Sequence, residues 1–156
     1  MKKILRIVII LFITALVVIQ FFQPEKNQGE MTGDHLFEVT DVPEDIKTLL
    51  KTSCLDCHSN QTKYRWYNHI APASWLVNSH VVNGKEELNL SEWGNMDVLE
   101  KISALDKMCE EVEDGKMPLK SYKLMYPGAR LSEEQKALLC EWTGKLSEEL
   151  LTEMEE

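Results

Sequence analysis

The sequence shows no sustained alternation of apolar and polar residues, and no segment repeats along its 156 residues. The first absence argues against half-buried strands and predicts an all-α domain; the second argues against a repeat architecture. Positive charge is scarce. Seventeen Lys and Arg stand against 26 Asp and Glu, a net charge of −9. Three of those cations lie within the first 22 positions, which hold no acid, so the remainder carries −12. Such a surface argues against nucleic acid and favours a partner with a basic docking surface; the plainer reading is that the acids keep a small domain soluble.

The first 22 residues also lack what a cleavage site needs. Lys2, Lys3 and Arg6 precede an apolar run from Ile7 to Phe22 that is broken only by Thr14 and Gln20. Counted from Ile4, the run spans about 28 Å as a helix, enough to cross a bilayer. It ends Val18, Ile19, Gln20, Phe21, Phe22, Gln23, without small residues one and three positions before a cut, and no cysteine follows closely for lipid attachment. The expectation is an uncleaved single-pass anchor over 1–22, a linker over 23–40 and one domain over 41–156. The basic flank predicts a cytoplasmic N-terminus in the inner membrane and a periplasmic domain.

Cysteine is sparse, with four in the chain, and two of them make the most informative stretch: Cys54, Leu55, Asp56, Cys57 and His58, or CLDCH. Two thiols three positions apart with an imidazole directly after the second suit covalent attachment of a c-type haem. On a helical turn both sulfurs reach one porphyrin edge, while His58 turns toward the iron as an axial ligand. A zinc site would usually draw on a second tight Cys or His pair, and Cys109 and Cys140 stand far apart. A thioredoxin-like pair needs a βαβ setting, and a disulfide within the motif would leave His58 unexplained. Covalent haem attachment is completed outside the bacterial cytoplasm, and an oxidising compartment also permits a disulfide between Cys109 and Cys140.

Coarse periodicity places the motif. Residues 23–41 contain Pro24, two glycines and no sustained period, the pattern of a tether with a solvated His35. A helix is expected from Asp41 to Ser53, with Asp41 and Glu44 in a capping-box pattern and Ile46, Leu49, Leu50 and Cys54 on one face. Pro72 opens a second helix that ends near Asn83 and Gly84, and Trp66, Tyr67 and Trp75 wall the haem or the core. Asn83 to Asn95 is expected as a loop with Trp93 as an anchor. A third helix starts at the Asp97 and Glu100 capping box, carries Val98, Ile102, Leu105, Cys109 and Val112, and stops at Gly115. Lys116 to Arg130 is expected to be irregular. The last helix starts at Ser132, with Gln135 three residues on, and carries Leu138, Leu139, Trp142, Leu146 and Leu150. Cys140 falls off that face, whereas Cys109 is central to its own.

For the sixth iron position, Met117 is the first choice: it sits between a helix stop and Pro118, on a loop able to fold over the haem. Met125, also just before a turn with proline, is the reserve, and His80 and His69 are the histidine rivals. Met96, Met108 and Met154 read as core filler.

The chain resembles the haem-binding domain family of membrane-anchored, cytochrome-c-like proteins common in Bacteroidota. The resemblance covers the anchor end QFFQPEKN, then CLDCHSNQTKYRWYNHIAPASWLVNSHVVNGKEELNLSEW, CEEVEDGKMPLKSY and PGARLSEEQKALLCEW. It implies thioether links at Cys54 and Cys57, iron ligation by His58 and a role for Met117. One departure is Tyr126 before Pro127, where many members have histidine. The residues and the resemblance together point to one haem c per chain and to electron transfer with a redox partner protein. A haem-based sensor or peroxidase-like enzyme is the alternative; it would need an open sixth position served by His69, His80 or Arg65.

Overall fold

The computed structural model describes residues 1–30 and 32–155. Seven α-helices follow one another among them: α1 (Lys2–Val18), α2 (Leu36–Val39), α3 (Glu44–Ser53), α4 (Ala73–Glu87), α5 (Val98–Glu113), α6 (Lys120–Met125) and α7 (Glu133–Glu155). Short 3-10 turns lie between several of them. No β-strand occurs among the described residues, only an isolated antiparallel bridge between Gln28 and Gln61. The protein is therefore all-α, as its lack of alternating residues requires.

Helix α1 continues as a 3-10 turn to Phe21, and the 20-residue stretch buries none of its apolar side chains against the rest of the protein. It is long and apolar enough to cross a membrane. The remaining helices enclose one core of Leu36, Val42, Ile46, Leu49, Leu50, Leu90, Trp93, Leu105, Val112, Leu139, Trp142 and Leu146. Helix α3 buries Ile46, Leu49, Leu50 and Ser53 at helical spacing and so carries its packed face directly into Cys54.

Helix α5 begins at the reciprocal cap read from the sequence. Asp97 accepts from the Glu100 amide at 2.8 Å, and the Asp97 amide donates to the Glu100 carboxylate at 3.1 Å. The same exchange opens α7, where the Gln135 amide donates to Ser132 Oγ at 3.2 Å and the Ser132 amide donates to Gln135 Oε1 at 2.9 Å. Gly115 ends α5 at a φ of 67°, a left-handed conformation that favours glycine.

The most extensive helix pairing is that of α5 with α7, cross-linked by a disulfide between Cys109 and Cys140. The buried face of α7 includes Thr143 and Ser147 as well as Leu139, Trp142 and Leu146. It is thus wider than its leucines suggest, and Cys140 lies on its edge beside Asp106, Cys109 and Glu110 of α5. The bond spans 31 residues of sequence, so a Cys109→Ser/Cys140→Ser variant is expected to lose about 3.5 kcal/mol of stability by loop entropy. A urea titration checks this; a loss under about 1 kcal/mol would show that helix packing alone holds α5 on α7.

Several local expectations give way to tertiary contacts. Helix α3 starts at Glu44 behind Pro43 with no side-chain cap, so Asp41 takes no part in it. Helix α4 passes through Gly84 to Glu87, and Leu90 to Asn95 form a 3-10 segment in place of a loop. Lys120 to Met125 is helical, held in place by Tyr122, although six residues are too few to show a period. His35 is not solvated. It is fully buried, its Nδ1 accepting from the Phe37 amide at 3.1 Å to start α2, with Leu36 in the core beside it. Nor does the stretch before it hang free, because the Asn27 side chain donates to Ser59 and Thr62 at 2.8 and 2.9 Å and the Gly29 amide to the Asn60 carbonyl at 2.8 Å. Trp66 and Trp75 wall no part of the core: both are exposed, and of that aromatic group Tyr67 alone is buried.

Candidate functional site

Helix α3 runs out at Cys54, and the CLDCH stretch continues it as an irregular turn. The Leu55 amide donates to the Leu50 carbonyl at 2.9 Å, while the Cys57 and His58 amides both donate to the Cys54 carbonyl, at 3.1 and 3.0 Å. The turn is tied to the segment after α4 by the Leu90 amide, which donates to the His58 carbonyl at 2.8 Å. Gly84 of α4 lies against it so closely that a Cβ there would stand 2.8 Å from the Cys57 carbonyl oxygen. Glycine in the middle of α4 is thus explained by a close approach of backbones, and the helix need not end at it.

On one side of this turn is a mainly apolar cavity of about 320 Å³. Cys54 and His58 line it from the motif, Leu88 and Leu90 from the segment after α4, Ala104, Met108 and Val112 from α5, and Met117 and Pro118 from the loop after it. Met117 is brought there by the end of α5. Past Gly115 the chain doubles back, and the Met117 amide donates to the Glu111 carbonyl at 2.9 Å. Glu87 and Lys107 form an exposed ion pair at 2.5 Å and also border the cavity.

The imidazole of His58 is oriented by its Nδ1, 3.0 Å from the Leu88 carbonyl. With Nδ1–H donated to that oxygen, Nε2 is the nitrogen left with a lone pair, the arrangement that metal-bound histidines commonly show. Burial lowers the His58 pKa, with the carbonyl bonds from Leu88 and Gly84 opposing it, and so favours the neutral imidazole that can donate to a metal. Burial likewise pushes the Cys54 thiol up to about 12 and the Cys57 thiol up to about 11.

A sequence model of the haem-binding domain family matches residues 14–145. The chain belongs to the haem-binding domain family. No curated protein and no solved structure matches it significantly. The family match begins inside the apolar helix and runs through residues 23–40, in keeping with the packing of Asn27 and Leu36 onto the rest of the haem-binding domain.

The residues of the cavity suit a haem. Its walls are mainly apolar, one imidazole is oriented, two thioethers lie on the same lining, and a thiol stands four positions before the imidazole. Of the sequence candidates, Cys54, His58 and Met117 come together here. Met108 joins them, although it reads as core filler; its signal was the helical spacing of Ala104, Met108 and Val112 along α5.

The other candidates lie elsewhere. Cys57 lines a second cavity of about 270 Å³ on the other side of the turn, together with His80 and Met125. His69 is exposed and borders a more polar cavity with Tyr64, Asn68 and Ser74.

The motif turn has a polar brace that its spacing did not announce. Asp56 is buried and receives Arg65 at 2.6 Å, the Tyr122 hydroxyl at 2.7 Å and the Lys63 amide at 3.1 Å. The Arg65 guanidinium lies 3.8 Å from the centre of the Tyr126 ring, so Tyr126 is part of this brace. Burial and the hydrogen bond to Asp56 raise the Tyr122 pKa and keep its hydroxyl protonated as a donor. Asp56, one of the two residues between the cysteines, is thus held by Lys63, Arg65 and Tyr122.

Proposed function

We propose that the protein is a c-type haem protein with one haem per chain, tethered by α1 to the inner membrane, its helical domain in the periplasm, and that it transfers electrons. The observation that carries this reading is the convergence of Cys54, an oriented His58 and Met117 on one apolar cavity. When bound, haem supplies a one-electron iron couple. His58 and Met117 would hold the iron, and Cys54 and Cys57 would supply the thioether sulfurs, Cys54 from this cavity and Cys57 from the neighbouring one. Methionine as the second ligand favours the reduced iron, and the apolar lining keeps water from it. The net charge of −12 beyond the anchor suits a redox partner with a basic docking surface.

Support for a carrier over a sensor or peroxidase comes from where the polar candidates lie. His69 and His80 border other cavities, and Arg65 is engaged by Asp56 and Tyr126. The test is a visible spectrum of the full chain from the membrane fraction, oxidised and reduced, with and without cyanide. Reversible reduction and an oxidised spectrum unmoved by cyanide are expected. A prompt cyanide shift would reveal an open or displaceable sixth position and overturn the carrier reading.

A further inference from the structure

Two links tie the end of the anchor to one face of the domain. The Gln20 side chain clasps the backbone of Ala71, its Nε2 donating to the carbonyl at 3.0 Å and its Oε1 accepting from the amide at 2.9 Å. Two residues beyond Gln20, the Phe22 carbonyl accepts from Trp75 Nε1 at 2.6 Å. Residues around Ala71 are therefore held where the apolar helix ends, at the level of a membrane surface if α1 spans.

This face carries large apolar side chains that the fold leaves uncovered. Trp66 is 73% exposed, Ile70 46% and Trp75 40%, and Phe21 and Phe22 at the end of the anchor are 83% and 67% exposed. The other two tryptophans, Trp93 and Trp142, are buried in the core. Tryptophan combines a large apolar ring with an N–H donor and concentrates at the boundary between lipid headgroups and acyl chains.

We propose that the face formed by Trp66, Ile70 and Trp75 docks on the periplasmic leaflet of the same bilayer that α1 crosses. The occupant is lipid because the patch is continuous with the end of the span and is bonded to it. The domain then lies against the membrane surface and does not swing on a tether. This inference rests on the reading of α1 as a membrane span.

The test uses the full chain reconstituted in phosphatidylethanolamine and phosphatidylglycerol vesicles that contain a phospholipid with a photoactivatable diazirine on its acyl chain. After illumination, lipid adducts are mapped by mass spectrometry. Adducts are expected on the anchor and on the tryptic peptide 66–85, and not on the segment of α7 around Trp142. In Trp66→Glu/Ile70→Glu the adducts on 66–85 should disappear while those on the anchor remain. Leu99→Glu, which alters an exposed apolar residue of α5 away from these links, should change neither. Both substituted side chains in the test variant are exposed, so the fold is expected to persist, which circular dichroism checks. Adducts on the anchor without adducts on 66–85, or adducts on 66–85 that survive the double substitution, would overturn the docking and leave the anchoring intact. A chain with no adducts on the anchor would overturn the spanning reading and the docking with it.

Discussion

In Cys54→Ala/Cys57→Ala no haem is expected to remain with the polypeptide after denaturation and acid-acetone extraction, whereas the wild-type chain should keep all of it. In the proposed attachment each thiol would add its S–H across one vinyl double bond, so removing both would leave coordination by His58 and Met117 as the hold, and acid would abolish it by protonating the imidazole. The single variants should each retain covalent pigment through one thioether. The two need not be equivalent: Cys54 opens into the cavity of His58 and Met117, while Cys57 opens into the neighbouring one. Burial pushes both thiols up, to about 12 and about 11, and so disfavours the thiolate at neutral pH. Extracted pellets of the double variant that still stain for haem would sink the attachment.

The second large effect is expected at Met117. The oxidised wild-type protein should show the near-infrared charge-transfer band of a methionine bound to ferric iron, and Met117→Ala should lose it completely and gain sensitivity to cyanide. Met108→Ala should keep the band, because Met108 sits within α5, whereas Met117 lies on a loop and packs where the chain folds back on Glu111. Met125→Ala should keep it too, since that side chain borders the other cavity. Survival of the band in Met117→Ala with its loss in Met108→Ala would transfer the ligand to Met108. A wild-type protein with no such band would point to histidine or to an open position. Substituting Met117 also empties part of a lining that packs on the core, so the variant should be examined well below its unfolding temperature.

What the sequence by itself determined is what depends on neighbours along the chain. The apolar run of α1, the reciprocal caps at Asp97 and Ser132, the glycine stop at 115 and the apolar face of α3 that leads into Cys54 all need only a few adjacent residues. So does the absence of strands. Each feature is written in a period or a cap, and each can be read before any partner is known. The tertiary structure alone decided which side chains share a cavity. Met108 and Met117 line the same space as His58 because α5 lies beside the motif turn, and Met125, equally eligible along the chain, is carried by α6 to the far side of that turn. Gly84 is a contact with Cys57 and not a helix end, His35 is a buried cap and not part of a tether, and Cys140 reaches Cys109 from the edge of a face wider than its leucines. Helical period assigns a residue to a face, but what covers that face depends on the packing of segments tens of residues apart, and only the assembled fold contains that information.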